Sequence, residues 1–139
     1  MPDATFHVID GGPERVAPYS HAVQSGDWLF LTGQMPIRPD GTVPEGIEAQ
    51  TRCCVENLRT VMAHCGFADA DVLQARVYLV RFDEHYGRMN ATYASLFPEG
   101  RLPARTCVGV TALARGCEVE IDFVVRRRAE PPGPEYGPA

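Results

Sequence analysis

The chain contains no lysine: all thirteen of its basic residues are arginine. A protein lysine can therefore neither form a Schiff base with a carbonyl substrate nor act as a general base. Cysteine is present without organisation. The five (Cys53, Cys54, Cys65, Cys107, Cys117) make an odd set with no C-x-x-C and no histidine-rich spacing. That argues against a disulfide framework and against a structural zinc centre. Three of them, Cys53, Cys54 and Cys65, fall in an expected helix, where they read as small buried apolar groups. Positive charge is also scarce, for eighteen carboxylates outnumber the arginines and the formal net charge is −5. Such a balance suits neither nucleic acid nor anionic membrane, since both are bound through clustered cations. No apolar run approaches membrane-spanning length, and MPDATFHVID lacks the basic and apolar regions of a signal peptide. The cytoplasm is the expected compartment.

What is present suits one folded domain. A chain of 139 residues can bury about 70% of its unfolded surface. Residues 1–128 are expected to form that domain, and AEPPGPEYGPA (129–139) a disordered Pro- and Gly-rich tail. TFHVI (5–9) reads as a short strand, followed by a Gly/Pro loop. AVQ and WLFLT, joined at Ser25-Gly26-Asp27, read as a hairpin over 21–33. A helix is expected from 43 to 65, with Thr42 and Glu45 at capping-box spacing, Pro44 in the first turn and Gly66 as terminator. DVLQARVYLV (71–80) alternates like a strand with Leu73, Ala75, Val77 and Leu79 on one face. Asp83 can cap a second helix to about Phe97, its inner stripe being Tyr86, Met89, Tyr93 and Phe97. The order β-β-β-α-β-α-β-β implies an α+β fold: a two-layer sandwich of one sheet of about six strands with two helices on one face.

The stretch LPARTCVGVTALARGCEVEIDFVV (102–125) carries the chemistry. Its alternation predicts two strands, read as an antiparallel hairpin. Thr106, Val108, Val110 and Ala112 would pack with Val119, Ile121, Phe123 and Val125. Arg105, Cys107, Glu118, Glu120 and Asp122 would then share the other face with Gln74, Arg76 and Tyr78, Cys107 opposing Glu120 and Arg105 opposing Asp122. A fixed cation beside a potential base makes a carboxylate-binding site. The plain alternative is a solvated face whose ion pairs contribute little. A half-apolar sheet face also suits self-association into a ring.

Several blocks tie the sequence to a known family: APYSHAV (17–23), LTGQMP (31–36), EAQTRCCVENL (48–58), the segment from Asp71 to Tyr93, and above all PARTCVGVTAL…EVEIDF. Over residues 5–127 the chain resembles the Rid (YjgF-like) reactive-intermediate deaminases. The resemblance implies a chorismate-mutase-like mixed sheet and a homotrimer whose three sheets face inward, with a ligand cleft at each subunit interface. It implies hydrolysis of 2-imino or enamine acids, such as 2-aminoacrylate and 2-iminobutanoate, to the 2-keto acid and ammonia, without a cofactor or a metal. The implied ligand contacts are Tyr19, Thr32, Gly33, Asn90, Arg105, Cys107 and Glu120. The chain departs from the family pattern at His21, Thr32 and Ala114, where Gln, Ser and Pro are more usual. A deaminase of a larger enamine such as 2-aminomuconate stays open, as does a non-catalytic trimeric binding, chaperone-like or RNA-acting protein.

The expected division of labour follows from side-chain chemistry. Arg105 can hold a carboxylate through two parallel charge-assisted hydrogen bonds, which lysine cannot reproduce. Glu120 can orient and deprotonate a water, then return the proton to the leaving amine. Cys107 is not read as a nucleophile, because no histidine is placed to activate it and hydrolysis needs no covalent step. Gly33 is expected to permit close backbone approach. His7, His21, His64 and His85 are scattered and receive no catalytic role.

Overall fold

Alternating hydrophobicity in the N-terminal third yields three short strands, β1 (Thr5–His7), β2 (Ala22–Ser25) and β3 (Trp28–Leu31), paired antiparallel in sequence order. The expected tight turn is present, with Gly26 at a φ of 58° that costs glycine nothing. A computed structural model of the chain describes residues 3–128, so the expected tail at 129–139 lies outside the described residues. Helix α1 (Ile47–His64), strand β4 (Val72–Val80), helix α2 (Phe82–Ser95), and strands β5 (Ala104–Val110) and β6 (Val119–Arg126) follow. The six strands form one mixed sheet in the order β1-β2-β3-β6-β4-β5. This is the expected α+β sandwich.

Both helices lie on one face for a topological reason. Strands β3, β4 and β5 run parallel and step in the same direction across the sheet, with α1 and α2 as the intervening crossovers. Right-handed crossovers that step the same way deposit their helices on the same side. The core between the layers joins Leu29, Leu31, Ala75, Val77, Leu79, Val119, Ile121, Phe123 and Val125 of the sheet to Val55, Leu58, Met62, Met89 and Tyr93 of the helices. Among the described residues no layer covers the opposite sheet face. It exposes Phe6, Trp28, Phe30 and Val108, which the strand register places on that side.

Five local expectations need correction. Helix α1 begins at Ile47 rather than 43, because Gly46 at φ 91° makes the sharp entry. Thr42, expected in a capping box, instead directs its N–H and O–H to Asp40 Oδ1 at 3.0 and 2.6 Å. Leu73 is 46% exposed, not inward. The β4–β6 register slips between Val72 and Gln74, and the extra residue of such a bulge leaves the alternation. On α2, Tyr86 is exposed and His85 is buried in its place, beside the Glu118 carboxylate at 3.2 Å. Asp83 sits inside the first turn, while Arg81 is the residue at the helix entry, in a left-handed conformation.

The largest correction concerns β5 and β6, which do not form a hairpin. Strand β5 pairs parallel with β4 at the sheet edge, and β6 inserts between β4 and β3. The register then reverses the faces of β5. Arg105 and Cys107 align with Ala75 and Val77 on the helix side, whereas Thr106 and Val108 align with Arg76 and Tyr78 on the uncovered side.

Candidate active site

Strand β5 carries Arg105 under helix α2. Its guanidinium donates from Nη1 to Asn90 Oδ1 at 2.7 Å, with Met89 Sδ at 4.0 Å. It also sits 5.1 Å from the ring centre of Tyr93 and 6.0 Å from that of Tyr86, within the range of cation–π attraction. Tyr86, Met89, Asn90 and Tyr93 recur at helical spacing and so present one stripe to it. Among the described residues Arg105 has no carboxylate partner, unlike Arg59, Arg76, Arg81, Arg88 and Arg115. A half-buried guanidinium held by an amide and two rings keeps Nε and Nη2 for an incoming anion. Cys107, two residues on, packs against the core. Burial pushes its thiol above the ordinary value despite the opposing pull of Arg105, so the group stays protonated at neutral pH and is a poor nucleophile.

A second group of residues assembles around Glu120. This carboxylate leaves β6 on the uncovered face, directly across from Tyr78 on β4. Its side chain lies against Gly33, with Oε2 in the space an added Cβ would take. Gly33 sits where the chain leaves β3, one residue before the Gln34–Ile121 bridge that pins this segment beside β6. Thr32 donates its hydroxyl to the Ser20 carbonyl at 2.6 Å and its N–H to that of His21 at 3.1 Å. Tyr19, next along, accepts the Val16 N–H on its phenol oxygen. His21 is buried, with Nδ1 accepting from Ile9 N–H and Nε2 donating to the Pro13 carbonyl. The histidine therefore ties the loop that carries Tyr19. Glu120 holds its proton more tightly than an ordinary glutamate, first through burial and then through the charge of Asp122.

The expected site residues thus fall into two half-sites. Asn90, Arg105 and Cys107 lie on the helix side of the sheet at its β5 edge. Tyr19, Thr32, Gly33 and Glu120 gather around the β3 end and the uncovered face. Within one chain Arg105 and Glu120 point from opposite faces, which corrects the expectation that they share a surface. Asp122 likewise pairs with Arg76 rather than standing opposite Arg105. A cavity of about 580 Å³ is lined by Leu73, Phe97, Arg101 and Leu102 among others and contains none of the expected residues. Sequence reasoning missed Tyr86 and Tyr93 as the rings around Arg105. Their spacing from Asn90 was the available signal. It also missed the Arg76–Asp122 pair, which no local pattern announces.

Comparison with known proteins agrees with the fold. The family model described as Endoribonuclease L-PSP matches residues 11–127. The RutC family protein PH0854 of Pyrococcus horikoshii is 35% identical over 117 residues, 83% of this chain and 91% of that protein. The 2-iminobutanoate/2-iminopropanoate deaminase of Escherichia coli K12 is 30% identical over 122 residues, 86% of this chain and 94% of that one. Among solved structures, a Yersinia pestis protein described as belonging to the conserved Rid family superposes with a TM-score of 0.82 at 29% identity. That superposition covers 89% of this chain and 99% of the other.

Proposed function

The chain belongs to the Endoribonuclease L-PSP family, the Rid (YjgF-like) proteins, and from that premise we propose that it hydrolyses small 2-imino and enamine acids to 2-keto acids and ammonia. The observation that carries the reading is Arg105, a half-buried cation with two donor positions open and no described carboxylate to neutralise it. The similarity to the E. coli protein named 2-iminobutanoate/2-iminopropanoate deaminase supports the same substrate class.

The active unit is a ring of three copies, in which the Arg105 half-site of one copy meets the Glu120 half-site of the next. Opposite orientation within a chain is then no obstacle, because the cleft is completed by a neighbour. The exposed Phe30 (48%) and Val108 (43%) on the uncovered sheet face supply apolar area for the assembly. The substrate carboxylate docks on Nε and Nη2 of Arg105, which places the adjoining C=N carbon in the cleft. An enamine first takes a proton at carbon to become the imine. Glu120 takes a proton from water as the oxygen adds to the C=N carbon of the protonated imine, giving a neutral tetrahedral aminoalcohol. Glu120 returns the proton to nitrogen, the hydroxyl proton passes back to Glu120 as the C–N bond breaks, and ammonia and the keto acid leave. Cys107 and Thr32 line the cleft, Gly33 gives Glu120 its room, and Tyr19 covers the ligand. No cofactor enters this scheme.

The test generates 2-aminoacrylate or 2-iminobutanoate in situ with an amino-acid dehydratase and follows keto-acid release. The intact protein is expected to accelerate release. Arg105→Ala should reduce the acceleration at least about tenfold, because one charge-assisted hydrogen bond is worth roughly 1.5–3 kcal/mol. No acceleration with either short acid but turnover of 2-aminomuconate would move the assignment to a larger enamine. RNA cleavage that survives Arg105→Ala would overturn it.

A further inference from the structure

Asp122 lies two residues beyond Glu120 on β6, so both carboxylates emerge on the uncovered sheet face. Asp122 is only 7% exposed, and a buried charge requires partners. Arg76 supplies them from β4, donating Nε–H to Oδ1 and Nη2–H to Oδ2, each at 3.0 Å. Tyr78 completes the group. It stands directly across from Glu120, yet its phenol donates to Asp122 Oδ2 at 3.3 Å. Glu120 is left turned against Gly33, and it receives no hydrogen bond from a described side chain. One carboxylate accepts three side-chain hydrogen bonds, while its neighbour two residues away accepts none from a described side chain.

We infer that the Arg76–Asp122–Tyr78 clamp is a positioning device that fixes a negative charge beside Glu120 and thereby sets the pH at which Glu120 gains and loses its proton. The inference rests on the reading of Glu120 as the proton-handling group, and it adds what governs that group. In the proposed ring the Arg105 guanidinium of the next copy also faces Glu120 and favours its charged form, equally in every variant compared below. Within one copy the surroundings leave few other candidates. On β6 the neighbouring charge is Asp122, and on β4 the facing groups are Arg76 and Tyr78. The Thr32-Gly33-Gln34 segment is uncharged. Cys117 before β6 and Cys54 on α1 sense the Glu120 charge, but burial keeps both thiols protonated at neutral pH. Burial and the Asp122 charge act on Glu120 in the same direction. Arg76 opposes the second influence by partly cancelling that charge.

Two substitutions must therefore act in opposite directions. Asp122→Asn keeps the shape and removes the charge, so Glu120 releases its proton at lower pH. Arg76→Gln leaves Asp122 uncompensated, so Glu120 releases its proton at higher pH. A purely structural role would damage both variants alike. The experiment follows the ¹³C-labelled Glu120 carboxyl by NMR titration in the full chain and records kcat/KM against pH with in situ 2-iminobutanoate. Opposed shifts of the carboxyl titration, with the acid limb of kcat/KM moving in step, are the expected result. An unmoved titration in Asp122→Asn, or shifts of the same sign in both variants, would overturn the inference. Opposed titration shifts with a stationary limb would keep the clamp and remove Glu120 from the reaction, which is a failure of the functional reading instead. Tyr78→Phe deletes one donor to Asp122 without changing the ring. It is expected to move Glu120 upward, and it keeps the test available if Arg76→Gln does not fold.

Discussion

Gly33 has no side chain, and Glu120 occupies the space a side chain would take. The obstructing atom is the far end of a flexible carboxylate, so Gly33→Ala should fold with a stability change within about 0.5 kcal/mol. The displaced carboxylate is another matter, since a misplacement of about 1 Å can cost roughly 100-fold in rate. Thermal melts that match wild type, with keto-acid release down about 100-fold, are expected. Glu120 itself trades stability for reactivity. Its folded-state proton affinity is raised, so ionising it penalises only the folded chain. Stability therefore falls as pH rises from the unfolded carboxylate value through the higher folded one. Glu120→Gln removes that penalty. The variant should melt higher than wild type at pH 8 and equally at pH 3, where the carboxyl is protonated in both states, while losing activity. At this scale the sequence was informative, because arginine, glutamate and glycine announce chemistry by type. It was silent on Tyr86 and Tyr93 as the walls around Arg105, since aromatic residues at helical spacing read first as core.

Elements were legible where periodicity and turn residues agreed, as in β2, β3 and the body of α1. Strand β5 shows why pattern alone falls short. Period-two alternation separates two faces without saying which one packs, and in this edge strand no position is fully buried on either face. The wrong face followed from assuming that strands adjacent in sequence pair with each other. Here the β4–α2–β5 unit makes a parallel crossover, and the Thr111–Glu118 connection carries the chain past β4 to the place of β6. The bulge beside Val72 has a similar cause, because register is decided by a partner strand that local sequence does not reveal. It also supplies a direct check. Leu73→Ser should alter stability by no more than about 0.5 kcal/mol, whereas Leu79→Ala, fully buried in the same strand, should cost about 2–5 kcal/mol. Urea denaturation of both variants distinguishes them.

At the scale of the whole molecule, the described residues cover one sheet face and leave the other open, and the candidate catalytic residues are divided between the two. On the proposed mechanism a single copy therefore carries two incomplete sites. Assembly and activity should fail together in Phe30→Glu, which puts a charge into the exposed apolar face while leaving the helix-side core untouched. Sedimentation is expected to give monomers with native circular dichroism and no deaminase activity.

The division itself is tested most directly by mixing two inactive variants. Arg105→Ala and Glu120→Gln chains, unfolded together and refolded at equal concentration, should regain about one quarter of the wild-type rate, the statistical share of intact clefts in randomly mixed rings whose sites lie between copies. A mixture as inactive as either variant alone, with mixed rings shown to have formed, would contradict a cleft built from the arginine of one copy and the glutamate of the next.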